Sequence, residues 1–118
     1  MGFKFENLRV WQKAVDLTGE IDLLIKTFPD DEKFALASQM KRAGDSIALN
    51  IAEGSTGQTN KEFARFLRMS IRSGIEVVGC LHLVKKPKII DDKAFAKMYG
   101  ELEELIKMIQ ALRKSIDN

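Results

Sequence analysis

Cys80 and His82 are the sole cysteine and the sole histidine of this chain, and they stand two residues apart. On a helix, residues two apart project about 200° from each other, at roughly 100° per residue, so the two cannot form a nucleophile–base dyad. They read as a small buried thiol and a partly exposed histidine. A di-metal bundle needs Glu-x-x-His pairs facing inward; Gly79 occupies the position three before His82, and Glu101, Glu103 and Glu104 fall mostly off the apolar row around them. The stretch Gly54-Ser55-Thr56-Gly57 lacks the Gly-Lys-Ser/Thr end of a phosphate loop and lies between helical patterns, not after a strand. No catalytic set, metal site or cofactor site is expected.

The spacing that does carry chemistry is basic. Lys61, Arg65, Arg68 and Arg72 follow i, i+4, i+7, i+11. On a helix they share a sector of about 60°, opposite the apolar row, and no acid interrupts them before Glu76. Guanidinium groups suit phosphate geometry, so contact with an RNA or DNA backbone is expected there, with Lys41 and Arg42 as further candidates. A plain solvated face, or arginines paired with acids of a neighbouring subunit, would show the same pattern. A second polar row, Arg42, Ser46, Asn50 and Glu53, reads as a seam that hydrogen-bonds another helix or another subunit. Asn50 and Ser46 are poor choices for a helix interior on propensity alone.

The elements that must position these rows are helices. Leu8, Trp11 and Val15, beside Val10, Ala14, Leu17, Ile21, Leu24 and Phe28, make a wide apolar stripe over 8–28, opened by Asn7 as N-cap and stopped by Pro29. Leu36, Met40, Ala43, Ile47 and Ile51 place a second helix over 31–53, behind the acids Asp30, Asp31 and Glu32, with Gly54 as its C′ residue and a polar loop to Gln58. Thr59 and Glu62, at capping-box spacing, open a third helix over 60–86, which Pro87 ends. Asp91 precedes a fourth over 92–116, on the row Phe95, Met98, Leu102, Leu105, Ile109 and Leu112. Nothing alternates with period two. Short connections between long helices predict an all-α, antiparallel up-down-up-down four-helix bundle, a single domain over 1–118.

Composition bounds the rest. At 118 residues and 45% hydrophobic the chain can bury a core, and 31% charge places it among folded domains. The net charge is only +2, yet residues 61–90 hold 7 basic side chains against 2 acidic, so the excess lies in the third helix. One cysteine permits no internal disulfide, and neither a leader-like apolar segment nor a membrane-length run is present. A cytoplasmic protein is expected.

Several stretches resemble the four-helix-bundle proteins encoded in intervening sequences of bacterial 23S ribosomal RNA genes. These are LRVWQKA at 8–14, Phe28-Pro29, QMKRAGDSIALNIAEG at 39–54, EFARFL at 62–67, and Ser73 with Glu76. The block at 39–54 is the specific part; the fourth helix matches only as a generic amphipathic segment. The chain is similar also to the accessory variability proteins of diversity-generating retroelements. The resemblance implies a ring-shaped homopentamer, nucleic acid as a partner, and in the second group a reverse transcriptase. It points to Trp11, Ser46, Asn50, Glu53, Ser73 and Glu76 as packing or subunit seam residues. A biochemical activity does not come with it.

Overall fold

The computed structural model describes residues 2–57 and 59–117, with the backbone alone at 32–34. Four helices carry the fold: α1 (Arg9–Lys26), α2 (Ser38–Ser55), α3 (Asn60–Lys85) and α4 (Asp92–Ile116). Packing runs from each helix to the next and closes from α4 back to α1, which makes an up-down-up-down bundle of 44 × 26 × 19 Å. The α2–α3 pair is the most extensive contact and α1–α4 the thinnest. Among the described residues there is no strand, and no helix is long and apolar enough to cross a membrane.

The apolar rows meet in one core. Ile21 of α1, Met40, Ile47 and Ile51 of α2, Leu67 and Leu81 of α3, and Leu102 and Ile109 of α4 are fully buried. Ser70 is buried among them, and its hydroxyl donates to the Ile47 carbonyl at 2.8 Å, so the one hydroxyl at this depth has a partner.

Two of the starts follow the cap chemistry. Thr59 Oγ1 accepts from the Glu62 amide at 3.0 Å, and Asp91 Oδ1 from the Ala94 amide at 2.7 Å. The first two helices differ from expectation. Asn7 does not cap α1: it closes a 3-10 turn (Lys4–Asn7), and Leu8 takes the N-cap position without a side-chain bond. Helix two does not begin at 31. A 3-10 turn (Asp30–Glu32) and a wide π-type turn (Lys33–Ala37) precede α2, which begins at Ser38. Gly54 is not a left-handed C′ residue. It lies inside α2, buried, where α3 crosses at Phe63 and Phe66. Gln58 of the expected loop lies outside the described residues.

The α3–α4 connection turns through a left-handed residue. Lys88 takes φ 62°, and the Val84 carbonyl accepts from both Ile89 and Ile90 amides at 3.0 and 3.4 Å. A non-glycine residue in the left-handed region is uncommon, and here it reverses the chain so that Ile90 is buried and Asp91 caps α4.

Candidate nucleic-acid interface

Because α3 is unbroken from Asn60 to Lys85, helical geometry alone brings Lys61, Arg65, Arg68 and Arg72 onto one outward line of about 16 Å. All four are exposed. They are held to different degrees. The Arg65 guanidinium lies 4.8 Å from the centroid of the Phe66 ring, a cation–π placement that stiffens a long side chain. Arg68 Nη1 is 3.1 Å from Asp117 Oδ2, which Arg113 Nη1 also approaches at 3.0 Å, so two guanidinium groups share one carboxylate and keep a net positive charge. Lys61 and Arg72 have no ion-pair partner among the described residues.

Lys41 and Arg42 do not join this line. The Lys41 ammonium sits 3.1 Å from Asp22 and 3.5 Å from Asp45 across the α1–α2 side, and the hydrogen bond to Asp22 raises its pKa, with both acids' charges adding. Arg42 borders a groove between α2 and α3 with Gln39, Ser46, Ser73 and Glu76.

The polar seam residues divide. Ser73 Oγ donates to Ser46 Oγ at 2.9 Å across α2–α3, and Asn50 Nδ2 donates to the carbonyl and hydroxyl of Ser46, both at 2.9 Å. Gln39 Nε2 donates to Glu76 Oε2 at 3.2 Å. These bonds are made within one chain, and they offset the poor helix propensity of Asn50 and Ser46. Glu53 is exposed. Trp11 is elsewhere, half-buried at the start of α1 with Phe5 edge-on to its ring at 4.9 Å.

The residues first weighed for catalysis stay apart. Cys80 is buried, and burial, with a smaller effect from the Glu76 charge, pushes its thiol pKa up, away from a reactive thiolate. His82 is exposed. No group of three or more His, Cys, Asp or Glu among the described residues could hold a metal ion.

Two clusters are ones that the sequence pattern did not indicate. Glu20 and Glu101 meet across the thin α1–α4 contact, beside a cavity of about 320 Å³ that Lys13, Asp16 and Glu104 also border. A hydrogen bond with Glu20, burial and the Glu20 charge together push Glu101 up to about 7, against the pull of Lys97 and Lys13. At the α3–α4 corner, His82, Phe95 and Tyr99 form an aromatic cluster. Phe95 and Tyr99 stand four apart on one helix, but their meeting with His82 depends on the turn at Lys88.

Comparison with known proteins fits the fold. No curated protein matches the chain. A crystal structure of a protein of unknown function from the S23 ribosomal protein family, from Bacteroides thetaiotaomicron, is similar, with a TM-score of 0.83 and 23% identity, over 89% of this chain and 98% of that one. The sequence profile of the 23S rRNA-intervening sequence protein family matches residues 6–111. With the profile spanning the bundle from the start of α1 well into α4, the chain belongs to the 23S rRNA-intervening sequence protein family.

Proposed function

We propose that this protein is a non-enzymatic, self-assembling bundle that binds the backbone of RNA or DNA along the outer face of α3. The observation that carries the reading is the exposed line Lys61, Arg65, Arg68 and Arg72, of which Arg68 shares the Asp117 carboxylate with Arg113, on a face separate from the paired Lys41. Its spacing suits phosphates. A line of about 16 Å spans roughly five nucleotide steps at 3.4 Å each. The family's name associates its members with a ribosomal RNA intervening sequence, which keeps RNA as well as DNA in view.

Self-assembly is supported by two matching surfaces. Val15 and Leu23 on α1 are 39% and 65% exposed, and Ile75 and Leu83 on α3 are each 58% exposed. Each pair flanks a glycine, Gly19 or Gly79, where an added Cβ would meet no other side chain within 4 Å. Exposed aliphatic area around an open backbone suits the close approach of another helix. The α1 surface carries Asp16, Glu20 and Asp22 nearby, so copies joined α1 to α3 would bring acids toward the basic face, a heterologous contact of the kind that closes rings. A ring of five, as the resemblance implies, would repeat the basic line five times and add avidity.

Titration of labelled duplex DNA or RNA across low to moderate salt tests the binding. Four phosphate contacts predict a slope of log K on log salt of about −3.6 per protomer. Substituting Lys61, Arg65, Arg68 and Arg72 by Gln together should flatten that slope and weaken binding at least about tenfold. No binding at low salt, or binding indifferent to these changes, would sink the proposal. The acids beside the α1 surface favour a second reading, in which the arginines serve only to join subunits and the ring is a protein scaffold. Under it, light scattering would show the same four substitutions dissociating the assembly.

A further inference from the structure

We infer that the corner where α3 turns into α4 is a second nucleic-acid site, taking an unpaired base of a single strand together with its flanking phosphates. This rests on the backbone-binding reading above and specifies the form of nucleic acid it favours.

Three rings from two helices meet at this corner. His82 stands edge-on to Phe95, with centroids 5.0 Å apart at 65°, and to Tyr99, at 6.3 Å and 86°. Phe95 and Tyr99 stack at 5.6 Å and 30°. Phe95 is half-buried, and one of its faces is taken by the Lys85 ammonium, 4.3 Å from the ring centroid. His82 and Tyr99 are left open to water, Tyr99 at 38%. His82 borders an open hollow of about 950 Å³ walled by Lys85, Lys86, Lys88 and Ile90. Tyr99 borders a smaller apolar one, of about 220 Å³, between Val78 and Ile106. The two exposed rings, His82 and Tyr99, therefore stand beside hollows, and lysines rim the larger.

That combination fits one chemistry well. Every base has a π face, so stacking on an aromatic side chain tolerates any sequence, but only an unpaired base can leave its own stack to do it. A duplex keeps its bases inside and offers phosphates alone, for which the α3 line suffices. Asp91 and Asp92 edge the larger hollow on the α4 side and repel phosphates, so the strand's phosphates belong on the side of Lys86 and Lys88. From Arg72 to His82 is about 15 Å along α3, a distance that one strand of a few nucleotides can span.

The test compares labelled oligo(dT) with a duplex of equal length, at one salt concentration, on the intact protein. The wild type should hold the single strand about tenfold more tightly than the duplex. His82→Ala with Tyr99→Leu should abolish that preference and leave duplex binding unchanged, with helicity by circular dichroism retained. In proton NMR, His82 is the only imidazole of the chain, so its ring signals should move upfield on adding oligo(dT) to the wild type and stay put with inorganic phosphate. This last readout does not depend on a variant folding. Equal binding of both probes with still imidazole signals overturns the corner site while the α3 reading stands. Absence of binding by either probe overturns both.

Discussion

Gly54→Ala will lower the stability of the folded chain by about 2 kcal/mol, whereas Gly100→Ala will raise it by up to about 1 kcal/mol. Both glycines lie inside helices, where alanine is the better former by about 0.8–1 kcal/mol, so propensity alone predicts a gain at each. Space decides the difference. A Cβ at Gly100 meets nothing within 4 Å. A Cβ at Gly54 would press on the Phe66 Cβ, with Phe63 Cδ1 at 3.1 Å and Phe66 Cγ at 3.2 Å. The Phe66 Cβ is carried rigidly on the α3 backbone, so relief requires moving α3 from α2, the most extensive helix pair in the bundle. Overpacking of that kind typically costs about 1–3 kcal/mol, and more where backbone must shift. Gly44 is the informative intermediate. Its added Cβ would come within 2.6 Å of Ile21 Cδ1 only, the free end of a flexible side chain that can turn away. Urea melts of the three variants should rank Gly100→Ala above Gly44→Ala above Gly54→Ala. Equal midpoints for Gly54→Ala and Gly100→Ala would show that the crossing is not tight.

That glycine also marks how far residue patterns reach. The apolar rows of all four helices were legible, because burial on one face of a helix imposes a 3.6-residue period whatever the partner. So were the starts of α3 and α4, because Thr59 and Asp91 act on amides three residues away. Where structure depends on a distant partner, the pattern is silent. A glycine near a helix end has the same spelling whether it serves a left-handed turn or a close crossing, and only the position of Phe66 separates the two. The start of α2 was misplaced for a related reason. Asp30, Asp31 and Glu32 are good first-turn residues by type, but the chain winds there as a 3-10 turn and then a π-type turn before α2 starts at Ser38, and residue preference does not distinguish these windings.

The candidate site divides the same way. The line from Lys61 to Arg72 follows from helix geometry, since all four residues ride one element. That Arg68 shares Asp117 with Arg113 does not, for the carboxylate comes from 49 residues away. Lys41 was a further candidate for phosphate contact; the α1 packing that brings Asp22 to it was invisible. The aromatic corner and the Glu20–Glu101 pair both span two helices, and each is set by a bundle registry that no single row encodes.

At pH 8, Glu101→Gln will be more stable than the parent by on the order of 2 kcal/mol, and near pH 4.5 the two will unfold together. Glu101 Oε2 is buried with no hydrogen-bond partner, and the neighbouring Glu20 carboxylate repels its charge. The hydrogen bond with Glu20 is the largest cause, and burial and the Glu20 charge add to it; all three favour the protonated acid in the folded chain and raise its pKa from 4.5 to about 7. The sign follows. Below about 4.5 the acid is protonated whether folded or not, and folding incurs no penalty. As pH rises toward 7 the unfolded chain releases its proton first, so stability falls across that interval and levels off above it. A full tenfold change in proton affinity is worth about 1.4 kcal/mol; water reaches this seam, and Lys97 lies 3.5 Å from Glu20, so the larger sum the shift implies is reduced by screening. Glutamine keeps the shape of the protonated acid and can donate to Glu20, so the variant should lose the slope between pH 5 and about 7.5. Glu20→Gln should flatten it as well, by removing the charge and hydrogen bond that hold the proton on Glu101. Since α1–α4 is the thinnest contact in the bundle, this seam is where a proton should govern closure. Parallel melting curves for parent and Glu101→Gln at every pH would show that the two carboxylates do not share their proton.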